Sequence, residues 1–169
     1  MKDNIVLIGM PASGKSTAGV ILAKILGMRF VDTDLLLQER YGQKLADIIA
    51  GDGLTAFLAK EEETCLTLSV HNSVIATGGS VVYGEKAMQH LKSIGTVVYL
   101  HVDLPILQGR LHNVKQRGVV LRDGQTISDL YAERSVLYER YADLTVEEED
   151  GDMEETVEAL VRQLQDLNG

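Results

Sequence analysis

Nine consecutive residues near the start of the chain, Gly9-Met10-Pro11-Ala12-Ser13-Gly14-Lys15-Ser16-Thr17, carry glycine, lysine and hydroxyl side chains in the spacing G-x-x-x-x-G-K-[ST]. Each residue type has a task in holding a chain of phosphates. Gly9 and Gly14 let the backbone turn its N–H groups inward around an anion. The ammonium of Lys15 can reach the β- and γ-phosphates, and the Ser16 hydroxyl can ligate Mg²⁺. Ala12, Ser13 and Thr17 complete the set of residues expected around the phosphates. The context is the one this chemistry needs. An apolar run, Ile5-Val6-Leu7-Ile8, reads as a buried strand before the loop, and Lys15 to Leu26 repeats its apolar residues at helical spacing after it. The N-terminus of that helix adds free N–H groups and a positive dipole end. A nucleoside triphosphate is the expected ligand.

Two carboxylates, Asp32 and Asp34, end the next apolar segment, at the same sheet edge as the glycine loop. One can hold Mg²⁺ through water while the other orients, or takes a proton from, an attacking hydroxyl. Without the glycine loop the pair would read as a helix cap and a surface acid. Gly78-Gly79 follows a short strand and allows a ligand close to the backbone. Among the arginines, Arg117 lies in a glycine-bearing segment without a helical face and can close over the γ-phosphate. Arg110 can stack on a base. Arg134, near Tyr131, Tyr138 and Tyr141, can clamp an anionic substrate. Taken singly, each arginine is more simply a solvated surface residue.

The elements that must position these groups alternate strand and helix. Helices are expected over 35–41 (with Thr33 or Asp34 as cap), 45–50, 54–70, 85–92, 104–113, 127–142 and 153–167. Phe57, Leu58, Glu61, Cys65 and Leu68 fall roughly along one face of the third of these. Short strands are expected over 28–31, 74–77, 96–100 and 144–146, and 114–124 reads as a mobile loop. The pattern predicts an α/β fold of P-loop type. It is a three-layer sandwich with a short central parallel sheet, helices on both faces, a mobile lid, and ligands at the carboxyl ends of the strands. With 169 residues and no linker, the chain is expected to be one domain. The acidic run Glu147-Glu148-Glu149-Asp150 with Asp152 reads as a solvated loop.

Composition narrows the class. A net charge of −9 leaves no basic surplus for nucleic-acid phosphates. The single cysteine, Cys65, cannot form an internal disulfide and fits a reducing cytosol, so a cytoplasmic protein is expected. No apolar run approaches about 20 residues, so no membrane partner is expected.

Taken together, several segments resemble the shikimate kinase family of small ATP-dependent P-loop enzymes. They are GMPASGKST from Gly9, VDTD from Val31, GQKLADII from Gly42, ATGG from Ala76, VVYL from Val97 and ERSVLYERYA from Glu133. The likeness runs from Ile5 to about Leu164; its first motif is shared by many NTPases, whereas VDTD, the ADII segment and RSVLYERYA are far more particular. The resemblance implies a monomeric, cytoplasmic kinase of aromatic amino acid biosynthesis that converts shikimate to shikimate 3-phosphate with ATP and Mg²⁺. Carried onto this chain, it places Lys15 and Ser16 on phosphate and Mg²⁺, Asp32 on the metal, and Asp34 on the acceptor hydroxyl as base. It further implies Phe57, Gly78 and Gly79 around the acceptor, Arg134 on its carboxylate, Arg117 in a lid over about 113–124, and Arg110 at adenine. The acceptor region would span about 33–70.

The chain departs from the family pattern at named positions. Leu58 stands where the family carries an arginine for the shikimate carboxylate, Ser80 stands for the third glycine of Gly-Gly-Gly, and Arg117-Gly118-Val119-Val120 replaces Arg-Pro-Leu-Leu. Lys60, about 200° round the helix from Leu58, is not an easy substitute. Loss of a charge-assisted contact to a buried anion costs on the order of 2–5 kcal/mol. Leu58 therefore motivates a second expectation, a kinase of the same fold acting on another polyol, hydroxy acid or amino-acid alcohol. A third is a non-catalytic nucleotide-binding regulator, against which Lys15, Asp32, Asp34 and Arg117 together speak.

Overall fold

The computed structural model of the chain describes residues 2–111, 118–148 and 152–169. Five parallel strands form one sheet in the order β2-β3-β1-β4-β5: β1 Asn4–Ile8, β2 Arg29–Asp32, β3 Ser73–Ala76, β4 Gly95–His101 and β5 Leu144–Glu147. The three central strands, β3, β1 and β4, are buried on both faces because both faces are covered, whereas the edge strands β2 (RFVD) and β5 (LTVE) are partly exposed. In β1, Val6 and Ile8 face one core with Ile75, Met88, Leu91, Val97 and Tyr99. Ile5 and Leu7 face the other with Ala18, Leu22, Val98, Leu100 and Leu160. The period of two in a strand thus divides one run, Asn4 to Ile8, between two layers.

Helix α1 (Lys15–Leu26) and α8 (Met153–Asn168) cover the second face. On the other side lie α5 (Glu85–Ile94), α6 (Leu104–Arg110) and α7 (Ile127–Tyr141). Between β2 and β3 the chain inserts α2 (Thr33–Tyr41), α3 (Leu45–Asp52) and α4 (Leu54–Leu66). These three carry a smaller core of Leu37, Ile48 and Phe57, which also buries Val120. Among the described residues no helix is long and apolar enough to cross a membrane.

Several boundaries differ from the sequence reading for local reasons. Helix α2 begins at Thr33, and its cap is Asp32, whose Oδ1 accepts from the N–H groups of Asp34 and Leu35. Helix α4 stops at Leu66, and Leu68, expected within it, is buried just beyond its end. Helix α6 stops at Arg110, with Pro105 in its first turn where its missing N–H costs no bond. The segment 114–124 divides: 114–117 lie outside the described residues, while Val120 is buried and Val119 and Leu121 pack against the main core. The acidic run divides as well. Glu147 ends β5 and is exposed, Glu148 is buried, residues 149–151 lie outside the described set, and Asp152 caps α8. The solvated-loop reading therefore fails at Glu148, for which Arg110 supplies a counter-charge.

Candidate active site

The sheet order places β3 and β4 on opposite sides of β1, so the crossovers part at the carboxyl end of β1. A doubly wound sheet opens its ligand crevice at this point. Residues 9–14 follow β1 there. Gly14 has φ +88, a left-handed conformation that glycine adopts without strain, and it turns the chain into α1. A Cβ at Gly9 would stand 2.6 Å from the Leu100 carbonyl oxygen, so a side chain there would collide with β4. The Lys15 ammonium, buried, donates to the carbonyls of Gly9 and Met10 at 2.8 Å each and to Ser13 Oγ at 3.3 Å. Burial lowers its pKa to about 8, against the opposing pull of the Asp34 carboxylate.

At the mouth of the loop, Ser16 Oγ donates to Asp32 Oδ2 at 3.0 Å. Asp32 therefore does two jobs, capping α2 with one oxygen and meeting the loop hydroxyl with the other. A hydroxyl beside a carboxylate is a donor set of hard oxygens, which suits Mg²⁺ completed by phosphates and water. Asp34, the second residue of α2, lines the cavity beside the loop. Burial first, and the Asp32 charge second, raise its carboxyl to about pH 6.

The loop opens into a cavity of about 290 Å³. Lys15, Ser16 and Thr17 line it from the loop and the start of α1, and Asp34, Phe57, Glu61, Thr77, Gly78, Gly79, Ser80 and Arg134 line the rest of its wall. Leu45 and Gly118-Val119-Val120 close one side. Gly78 and Gly79 answer to space. A Cβ at Gly78 would come within 2.6 Å of Asp34 Oδ1 and 2.7 Å of Glu61 Oε2, and one at Gly79 within 2.9 Å of an Arg134 nitrogen. Arg134 is 1% exposed, against the solvated role that arginine takes by default. Its Nε donates to the Tyr83 hydroxyl at 3.3 Å and one terminal nitrogen to the Val120 carbonyl at 3.0 Å; the other is the atom that faces Gly79. Tyr138, one turn later on α7, donates to the Gly79 carbonyl at 2.6 Å and fixes that backbone.

Of the residues singled out from the sequence, the loop, Asp32, Asp34, Phe57, Gly78, Gly79, Ser80 and Arg134 meet at or beside this cavity. Leu58 does not line it and packs instead with Leu37, Ile48, Phe57 and Val120. Lys60 is engaged elsewhere, paired with Asp52 and 4.6 Å over the Tyr41 ring. Arg117 lies outside the described residues. Arg110 forms a two-pronged pair with the Glu148 carboxylate and donates to the Ala12 carbonyl at 3.0 Å, so it braces the loop against the end of β5. Cys65 is buried and raised far above the thiol range by that burial, which makes it an inert packing residue.

Glu61 was missed as a site residue. Its one signal in the sequence is a carboxylate four residues after Phe57, on a face that is otherwise apolar. In the structure it is 4% exposed, and burial raises its pKa to about 7.

Comparison with known proteins gives a consistent picture. The profile of a family described as shikimate kinase matches residues 11–165. The shikimate kinase of Chlorobium chlorochromatii is 36% identical over 172 aligned residues, covering 95% of this chain and 90% of that one. The structure of a shikimate kinase from Acinetobacter baumannii in complex with shikimate superposes with a TM-score of 0.90 at 28% identity, over 98% of this chain and 94% of that one. A shikimate kinase from Aquifex aeolicus superposes with a TM-score of 0.83 at 33% identity, covering 96% of each.

Proposed function

This chain belongs to the shikimate kinase family, and from that premise we propose that it transfers the γ-phosphoryl group of ATP to a ring hydroxyl of shikimate, giving shikimate 3-phosphate. The observation that carries the reading is one cavity shared by the phosphate loop, a buried carboxyl group (Asp34) and a buried guanidinium (Arg134). Donor and acceptor ends are thereby held in one enclosure, and orientation is most of what phosphoryl transfer needs.

In this reading the backbone of residues 9–14 and the Lys15 ammonium hold the β- and γ-phosphates. Lys15 leaves its carbonyl partners at Gly9 and Met10 to do so. Ser16 and Asp32 would hold Mg²⁺, which would supply positive charge to neutralise the phosphates. Asp34 accepts the proton of the attacking hydroxyl. Arg134 takes the shikimate carboxylate; it is the one arginine lining the cavity among the described residues, so it fixes which end of the ring points away from the phosphates. Arg117 acts from the lid over about 113–124, and Arg110, already fixed beside the loop, borders the adenine. We further assign a monomeric, cytoplasmic enzyme of aromatic amino acid biosynthesis. A single buried cysteine suits a reducing compartment, and the net charge of −9 disfavours a nucleic-acid partner.

The test is release of ADP by the full chain given Mg²⁺, ATP and shikimate, with the product identified by mass and phosphorus NMR. Turnover to the 3-phosphate is expected. ATP binding without transfer to shikimate would overturn the proposal.

A further inference from the structure

One residue of the phosphate loop is held in a conformation that its own side chain resists. The N–H of Ser13 donates to the Met10 carbonyl at 3.2 Å and closes a four-residue turn, Met10-Pro11-Ala12-Ser13. Pro11 takes the second position, and Ala12, at the third, has φ +63. Proline second and a left-handed residue third is the type II pattern, whose third position favours glycine. Alanine adopts that conformation only at a cost. Gly14, two residues on, is left-handed as well. Left-handed residues set among ordinary ones turn successive N–H groups to one side, which makes a concave site for an anion. The strain at Ala12 therefore lies in the part of the loop that must meet the phosphates.

What opposes the strain comes from outside the loop. Arg110, at the end of α6, donates from Nη1 to the Ala12 carbonyl at 3.0 Å. Glu148, just beyond β5, grips both terminal nitrogens of Arg110, Nη1 at 3.1 Å. The Glu148 side chain is 1% exposed, and among the described residues its carboxylate accepts from Arg110 alone. A buried ion pair is a poor way to gain stability, because an apolar pair of similar volume often serves as well or better. What this pair supplies is direction, since it fixes one guanidinium on one strained carbonyl. Glu148 Oε2 also stands 3.8 Å from where a Cβ on Gly14 would be, so the carboxylate lies close behind the second left-handed residue too.

We propose that Glu148 is a positioning residue for ATP: by clamping Arg110 onto the Ala12 carbonyl, it keeps the loop in its left-handed, phosphate-ready shape before the nucleotide arrives. The inference rests on the ATP-dependent kinase reading and deepens its donor half. Preorganisation of this kind raises affinity without adding a contact to the ligand.

Calorimetric titration of the full chain with ATP and Mg²⁺, beside steady-state kinetics, tests it. Glu148→Gln keeps the shape but turns an amide N–H toward one Arg110 nitrogen, so the two-pronged clamp is lost. ATP should bind about 10-fold more weakly, a loss of about 1.4 kcal/mol that falls within the cost of one left-handed alanine. KM for ATP should rise by a similar factor, with KM for shikimate at saturating ATP unchanged. The decisive comparison uses Ala12→Gly, which makes the left-handed conformation easy. In the Ala12→Gly background, Glu148→Gln should weaken ATP by no more than about 3-fold, because the two sites are coupled. An equal loss in both backgrounds would mean that Glu148 does not act through Ala12, and the proposal is overturned. ATP affinity indifferent to Glu148→Gln overturns it too, as does a variant that weakens ATP and shikimate alike. Should Glu148→Gln fail to fold, Arg110→Met combined with Glu148→Leu removes both buried charges together. The ATP penalty of that pair in the two backgrounds then decides by the same criterion. A wild-type chain that binds no ATP is a separate failure, seen before any variant is made, and it removes the nucleotide reading as well.

Discussion

Asp34 and Lys15 are a pair whose environments push them toward each other's needs. Burial raises the Asp34 carboxyl to about 6 and lowers the Lys15 ammonium to about 8, so near neutrality the acid is ionised and the base is charged, each with little margin. A carboxylate set just below the working pH is a serviceable proton acceptor. Replacing Asp34 with Asn keeps the shape and removes the acceptor, and kcat should fall by about 10²- to 10⁴-fold, the range for loss of general-base catalysis. ATP affinity, which depends on residues 9–17, should be unchanged by calorimetric titration. Retention of full rate would show that another group takes the proton. The sequence made this residue legible because Asp32-x-Asp34 follows a strand that ends beside the loop. It did not make Glu61 legible, since convergence at Gly78 depends on how α4 rolls against α2. The same roll decides against Leu58. Phe57 and Glu61 are four residues apart and share a face, while Leu58 is turned about 100° from Phe57 into the small core.

At the scale of elements, what positions the site is a set of helix ends. The phosphate loop ends in the N-terminus of α1, and Asp32, the carboxylate proposed for the metal, is also the N-cap of α2. Helix α7, which carries Arg134 and Tyr138, starts on a capping box between Thr126 and Asp129. The double duty of Asp32 can be separated. Asn is as good an N-cap as Asp, so Asp32→Asn should leave thermal stability within a few tenths of a kcal/mol while raising the Mg²⁺ concentration needed for half-maximal rate. Asp32→Ala should lose both functions, with about 1 kcal/mol less stability by denaturant unfolding. Equal stability loss in the two variants would mean that the carboxylate charge, not the cap, holds α2. Element types and order were readable from periodicity, because Ile5 to Ile8 in β1 and Val97 to Leu100 in β4 are unbroken apolar runs and helices are closed by glycines such as Gly27 and Gly42. The caps were less so. Thr33, Asp34 and Asp32 all have capping chemistry, and only the backbone conformation selects Asp32. Nor could the sequence show that Glu148 would leave an acidic run to be buried against Arg110, a pairing 38 residues apart.

For the whole molecule, the cost of the site appears as a dependence of stability on pH. Asp34, Glu61, Lys15 and Arg134 come from α2, α4, α1 and α7, and all four face one cavity in the interior. Folding must bury their charges in a chain that already carries −9. Glu61 is the most exacting of them, because its Ser80 partner is neutral and burial outweighs the favourable pull of Arg134 and Lys15. The carboxyl titrates near 4.5 when unfolded and about 7 when folded. Between those values the folded chain keeps a proton that the unfolded chain has released. The contribution is therefore complete below about pH 4.5 and is lost as pH rises through 7. Glu61→Gln has no such proton to lose and can still accept from Ser80. The variant should match wild type near pH 5 and become the more stable of the two by pH 8, by on the order of 1–3 kcal/mol. For a chain of this size that is several degrees in Tm. Because Asp34, Lys15 and Arg134 are common to both proteins, the difference between their Tm-against-pH curves reports Glu61 together with its pull on Lys15. Curves that run parallel from pH 5 to 8 would mean that the folded protein leaves this carboxyl at its ordinary value, and that the cavity is wetter around α4 than its buried walls imply.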